Sequence, residues 1–223
     1  MQISDYSSFE TDSKDSETVY MFIDSIEEVS GGCLKVIPSK GPSFFIRLDY
    51  VDNELQSKIN PYQSLNENET ELLLAAGYAF LSERDALNYL NRSEHSRFLL
   101  TQKLQKKGHR IEAINCSLDF LEQKNYLSDR RYAISWLRNR RISKSEGRKK
   151  LFQHLLARGI SKSIAEDALD EFYDEFSEFA MLEKAYSKCL KQNLPEDKID
   201  KKLLLWGFSF SMIKEVKNSY LKN

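Results

Sequence analysis

Three stretches of the chain share one pattern: Leu100-Thr101-Gln102-Lys103-Leu104-Gln105-Lys106-Lys107-Gly108, Leu151-Phe152-Gln153-His154-Leu155-Leu156-Ala157-Arg158-Gly159 and Ile199-Asp200-Lys201-Lys202-Leu203-Leu204-Leu205-Trp206-Gly207. In each, an apolar residue is followed four positions later by leucine, which places both on one face of a helix. Four positions beyond the leucine stands a glycine, the residue best able to take the left-handed conformation that ends a helix. The chain restarts a few residues on with a second amphipathic pattern. Its buried face is marked by Ile114, Leu118 and Leu121 in the first copy, Ile164, Ala168 and Phe172 in the second, and Ile213, Val216 and Tyr220 in the third. Upstream, Ala86/Leu90, Ala133/Leu137 and Ala185/Cys189 align as i,i+4 pairs on an opening helix. The alanine precedes the aligned leucine by 18 residues in copies one and three and by 22 in copy two, so copy two carries a four-residue insertion between its first two helices. A period of about 50 residues suits three short helices per module, and modules with such small cores should stack on one another.

No proline stands between Tyr62 and Leu194, and apolar residues recur at three- and four-residue intervals throughout. A helix is predicted over Glu67–Leu81, with Ser82 and Asp85 offering an N-cap for the next one. Before it, Val19–Ile23, Cys33–Ile37 and Ser43–Leu48 are short β-branched and aromatic runs, separated by Gly31-Gly32 and Pro38–Pro42. They predict a small antiparallel β-unit that needs one face covered. Residues 1–17, rich in Ser, Asp and Glu, read as a disordered acidic tail. The expected organisation is a mainly α, α+β overall chain: tail 1–17, β-unit with linking helix 18–81, and three tandem three-helix modules at 82–129, 130–178 and 179–223 in an elongated array.

The net charge of -1 conceals a separation along the chain. Residues 1–82 carry 5 Lys/Arg against 14 Asp/Glu, residues 83–160 carry 18 against 8, and residues 161–223 carry 10 against 12. A basic centre between acidic ends points to an anionic partner for the middle of the molecule. Cys33, Cys116 and Cys189 are odd in number and far apart, and His95, His109 and His154 lack ligand spacing, so neither a disulfide framework nor a metal site is expected. No phosphate loop, dinucleotide fingerprint or nucleophile elbow is present, which argues against an enzyme and against a cofactor. The acidic first residues hold no signal h-region, and the run Leu72–Leu81 is too short to span a bilayer. A cytoplasmic monomer without membrane association is expected.

Ala86-Leu87-Asn88-Tyr89-Leu90, Arg92–Arg97, Lys103-Leu104 and Lys107-Gly108-His109 resemble, in order and spacing, the opening signature of the RecX family. Tyr126-Leu127-Ser128-Asp129-Arg130-Arg131-Tyr132-Ala133 is similar to the family's junction between modules, and Arg158-Gly159-Ile160-Ser161 matches its second module. The resemblance is strong over Ala86–Leu169 and weaker elsewhere. Leu99 stands where an acidic residue is common, and Tyr132 replaces a phenylalanine. What the resemblance implies is three tandem three-helix modules, no catalytic site, and a regulator that lies along the groove of the RecA filament on single-stranded DNA. It also implies lower ATPase, strand-exchange and co-protease activity, and a place in recombination, DNA repair and the SOS response.

Candidate contact residues for RecA or DNA are Arg92 and Arg97 in the first signature, Lys103, Lys106, Lys107 and Arg110 near the end of a helix, and the dense group Arg130, Arg131, Arg138, Arg140, Arg141, Lys144, Arg148, Lys149 and Lys150. Ser143 and Glu146 have capping-box spacing, so a helix is expected to begin near Lys144 with the last three cations in its first turns. Cations there oppose the helix dipole, which hints at binding. The alternative is an ordinary solvated face. Trp136, Trp206, Tyr132, Phe152 and Phe172 read as core. Binding to single-stranded or duplex DNA without sequence preference fits the charge. A module that inserts a helix into the duplex major groove is the competing reading.

Overall fold

The computed structural model describes residues 19–221; the acidic tail expected at 1–17 lies outside them. The compact units divide between Gly77 and Tyr78.

The first unit is a four-stranded antiparallel sheet, β1 (Met21–Val29), β2 (Cys33–Pro38), β3 (Phe44–Arg47) and β4 (Gln63–Leu65), in the order β3-β2-β1-β4. Strands β2 and β3 fall where the apolar runs predicted them, whereas β1 shares only Met21–Ile23 with its run and continues through a mostly polar stretch to Val29. Strand β4 had no such signal, being three residues long with a single apolar side chain, yet Leu65 pairs with Met21 and is fully buried. A short helix, α1 (Asn53–Lys58), capped by Asp52 through the amide of Leu55, supplies Leu55, with Ile59 just after it. These and Leu73 and Ala76 of helix α2 (Glu67–Leu90) bury Ile23, Val36 and Ile46 on one face of the sheet. Helix α2 starts at a reciprocal capping box: the Glu69 amide donates to Asn66 Oδ1 and the Asn66 amide to Glu69 Oε2, each at 3.0 Å.

The predicted break at Ser82 is not made. Helix α2 runs unbroken to Leu90, and Ser82 lies in its interior, fully buried, its hydroxyl 2.8 Å from that of Ser117. A hydroxyl that finds a buried partner no longer needs a helix end. Beyond it follow α3 (Arg97–Lys106), α4 (Ile111–Gln123), α5 (Asp129–Ser143), α6 (Arg148–Leu156), α7 (Lys162–Glu175), α8 (Glu178–Lys191), α9 (Glu196–Leu205) and α10 (Phe210–Leu221). The pairs Leu100/Leu104, Leu151/Leu155 and Ile199/Leu203 are all buried, and Gly108, Gly159 and Gly207 end their helices at φ 93°, 79° and 90°. Of the third-helix residues, Ile164 is half-buried and Tyr220 exposed, with its ring set edge-on against Tyr186.

The insertion in copy two is not a loop. It lengthens α5, which continues six residues past Leu137 to Ser143. Nor do Ser143 and Glu146 form a capping box: Lys144 is extended, and α6 starts only after Gly147. Arg148 is the first residue of α6, so these cations do sit at a helix start.

The repeats join by a rule. The residue eight positions before each aligned leucine is the N-cap of the middle helix, namely Ser96, Gly147 and Pro195. Ser96 Oγ donates to the carbonyl of Arg158, and the Gly147 amide to that of Trp206, so each cap grips the carbonyl just before the next repeat's glycine. One residue on, the Arg97 amide donates to Asp129 Oδ1 and the Arg148 amide to Glu178 Oε1, the first residues of the next repeat's opening helix. These carboxylates satisfy helix N-terminal N–H groups that would otherwise be left over. A Cβ on Gly147 would lie 2.5 Å from the carbonyl oxygen of Gly207. Backbones this close admit only glycine.

Candidate functional site

The basic centre separates into paired and unpaired cations. Arg97 bridges Asp119 and Glu122, and Arg148 bridges Asp170; Asp119 and Asp170 each stand fifteen residues after the aligned leucine of their own repeat. Arg130 pairs with Glu171, Arg138 with Glu175 and Arg131 with Glu94, while Arg131 also donates to Asn125 and to the Tyr126 carbonyl. The insertion expected between the first two helices of copy two is itself helical, and Arg138, Arg140 and Arg141 occupy the last turns of α5, where Arg138 faces an acid brought in by α7 and Arg140 faces Glu146.

Arg140 makes a two-pronged contact with Glu146, at 2.7 and 2.9 Å. Burial would raise the Glu146 carboxyl, yet the guanidinium fork outweighs it and holds the group below the usual carboxylate range. Around this pair, Trp136 lies half-buried between Arg140 and Arg158, whose guanidinium sits 4.3 Å from the ring centroid. Trp136, Trp206 and Phe152 thus line the core's edge, whereas Tyr132 and Phe172 are inside it.

In the first repeat, Lys107 and His109 both reach Asp85 at 2.7 Å, and the two contacts overcome burial to lower that carboxyl. Lys103 lies against His95 Nε2 and over the Tyr89 ring, and Arg110 over that of Tyr78. Arg92 and Lys106 are exposed, with no ion pair among the described residues. In the second repeat, Lys150 donates to the Leu205 carbonyl, and Lys149 is exposed, with no ion pair among the described residues.

Five further cations without an ion pair line one cleft. Arg141, its guanidinium 3.8 Å above the Phe176 ring, and Lys144 stand beside Arg140 on one wall of a cleft of about 550 Å³. The opposite wall is α8, which presents Lys184, Lys188 and Lys191. All three are exposed and have no carboxylate partner among the described residues. The sum of charge along the sequence hides them, because the last third of the chain is acidic overall. Their i, i+4, i+7 spacing was the available signal.

Other chemistry has little to build on. Among the described residues no group of His, Cys, Asp and Glu could hold a metal ion, and no helix is long and apolar enough to cross a membrane. Cys33 and Cys189 are buried and Cys116 half-buried, all as free thiols.

Comparison with known proteins places this architecture. Residues 84–121 match the family model described as the first three-helix domain of RecX, and residues 128–169 match that of its second three-helix domain. The regulatory protein RecX of Chlorobium limicola is 34% identical over 133 residues, spanning 58% of this chain and 83% of that protein. The regulatory protein RecX of Vibrio parahaemolyticus is 30% identical over 135 residues, spanning 59% and 86%. A crystal structure of a regulatory protein RecX superposes with a TM-score of 0.71, covering 89% of this chain and 99% of that one, at 22% identity.

Proposed function

We propose, because the chain belongs to the RecX family, that it binds the RecA filament on single-stranded DNA and lowers the filament's ATPase, recombinase and co-protease activities. It acts by binding and not by catalysis, in the cytoplasm, within recombination, DNA repair and the SOS response. The observation that carries this reading is the junction rule. Both junctions link equivalent positions, through Ser96 Oγ and the Arg97 amide at the first and through the Gly147 and Arg148 amides at the second. Repeats joined by a constant contact present their surfaces at a constant step, which matches a partner that is itself a repeating polymer. The exposed cations Arg92, Lys106 and Lys149 of repeats one and two are the contacts assigned to the filament.

The competing reading, a helix laid in the duplex major groove, is disfavoured by charge. The third helix of a module would have to enter the groove, yet beyond the carboxylates already paired with arginines α7 exposes Glu166, Asp167 and Asp174, and α4 exposes Glu112. Such a face is repelled by phosphates.

Titration of the protein into RecA hydrolysing ATP on single-stranded DNA tests the proposal. Sub-stoichiometric amounts should lower the rate. Unchanged hydrolysis at molar excess of folded protein rejects it.

A further inference from the structure

The cleft between the end of α5 and helix α8 holds more unpaired charge than any structural role uses. Its walls carry Arg140, Arg141, Lys144, Lys184, Lys188 and Lys191. One carboxylate, Glu146, lines it, and that group is already held by both prongs of Arg140. Five cations are left facing one another without compensation. Like charges gathered along one cleft repel, and a polyanion bound there would offset that repulsion.

We propose that this cleft is a binding site for the phosphodiester backbone of a nucleic acid, held by Lys184, Lys188 and Lys191 on one side and by Arg141 and Lys144 on the other. Three features select phosphate over an acidic protein segment. The lysines are flexible point charges, suited to successive phosphates and not to the two-pronged recognition of carboxylates, for which arginine is the better residue. Their span along α8, seven residues at about 1.5 Å each, is about 10 Å, the length of three steps of about 3.4 Å along a stacked strand. Finally, Ser145 and Ser187 add hydroxyl donors to the lining, whereas the large apolar anchors a protein helix would need are confined to Ile142 and Trp206.

This site bridges repeats two and three, because α5 opens one repeat and α8 the next. It needs no RecA to fill it, so it stands or falls apart from the filament reading.

The test is direct binding of the full chain to a labelled single-stranded oligonucleotide and to a duplex of the same sequence, over a range of salt. The variant is K184A/K188A/K191A; all three side chains are exposed, so folding should be unaffected and the thermal midpoint equal to or above that of the unsubstituted chain. Without these three lysines to neutralise single-strand phosphates, the log–log salt slope should fall by about 2, and affinity at about 0.15 M salt by about fiftyfold. A charge-matched control, K162A/K198A/K201A, removes three exposed lysines outside the cleft and should change affinity by less than about twofold. The single-strand and duplex arms decide which form of backbone the cleft prefers. Equal affinity and slope in the cleft variant, equal losses in the control, or a glutamate-rich peptide that competes charge for charge as well as the oligonucleotide would each overturn the assignment.

Discussion

Replacing Gly147 with alanine should uncouple repeat three from repeat two. Gly147 has φ -78° and ψ 167°, which any residue adopts, so alanine introduces no backbone strain of its own. By itself the change would stabilise the chain by about 0.4–1 kcal/mol, through the unfolded state. Steric geometry reverses that sign. The added Cβ meets the Gly207 oxygen at 2.5 Å, the Gly207 carbonyl carbon at 2.6 Å and the Phe208 nitrogen at 2.7 Å, all backbone atoms that no rotamer change can remove. Restoring a 3.4 Å contact requires the turn to retreat by about 0.9 Å. That stretches the 2.8 Å bond from the Gly147 amide to the Trp206 carbonyl beyond hydrogen-bonding range. Loss of that bond costs about 1 kcal/mol and the overpacking about 1–3 kcal/mol. After the unfolded-state gain, the net destabilisation is about 1–3 kcal/mol. Urea unfolding followed by circular dichroism measures it, and hydrogen exchange should show weakened protection concentrated in α9 and α10. A midpoint equal to or above that of the unsubstituted protein would refute the claim that this junction is closed by backbone contact.

Other changes separate structural charge from binding charge. Arg140→Met strands Glu146, 7% exposed, without its partner; it should cost about 3–5 kcal/mol near neutral pH in urea melts. Because the folded Glu146 carboxyl is held below its ordinary value, its contribution to the unsubstituted protein is present above the usual carboxylate range and fades as pH falls through the lowered value. The difference between Arg140→Met and the unsubstituted chain should therefore shrink in acid, and a pH-independent difference would contradict it. Arg138→Ala breaks an exposed pair with Glu175 and should change stability by no more than about 0.5 kcal/mol, again read from urea midpoints.

The apolar skeleton was legible because it obeys a period: an i,i+4 pair followed by glycine identifies a helix and its end whatever surrounds them. What misled was polar spacing. Ser82 with Asp85, and Ser143 with Glu146, both have the form of helix starts, yet Ser82 is satisfied by Ser117, 35 residues away, and Glu146 by Arg140. A hydroxyl or carboxylate can serve a cap or a tertiary partner, and only packing decides between them. The basic segment was visible for the same reason that its pairing was not. Charges are written in the sequence, but the acids that neutralise Arg130 and Arg138 come from α7, 41 and 37 residues on. The cleft shows the converse: the α8 lysines gain meaning only once α5 is folded beside them.

The third repeat explains why resemblance fades along the chain. It keeps the apolar positions, since Ile199, Leu203, Ile213 and Val216 are buried. Its polar junction is rewritten. Pro195 stands at the cap position held by Ser96 and Gly147, and proline has neither an N–H nor a side-chain donor to offer a following turn. The next position, arginine in the first two repeats, is Glu196, and the ion pair across the module is reversed: Lys217 of α10 now holds Glu196 and Asp200. With those partners, the Lys217 ammonium is raised above its ordinary range despite the opposing effect of burial. Ser96 and Gly147 are buried by the repeat that follows each of them, whereas Pro195 is exposed. The core-forming residues therefore persist through all three repeats, whereas the joining contacts at the cap and the position after it are shared by the first two alone.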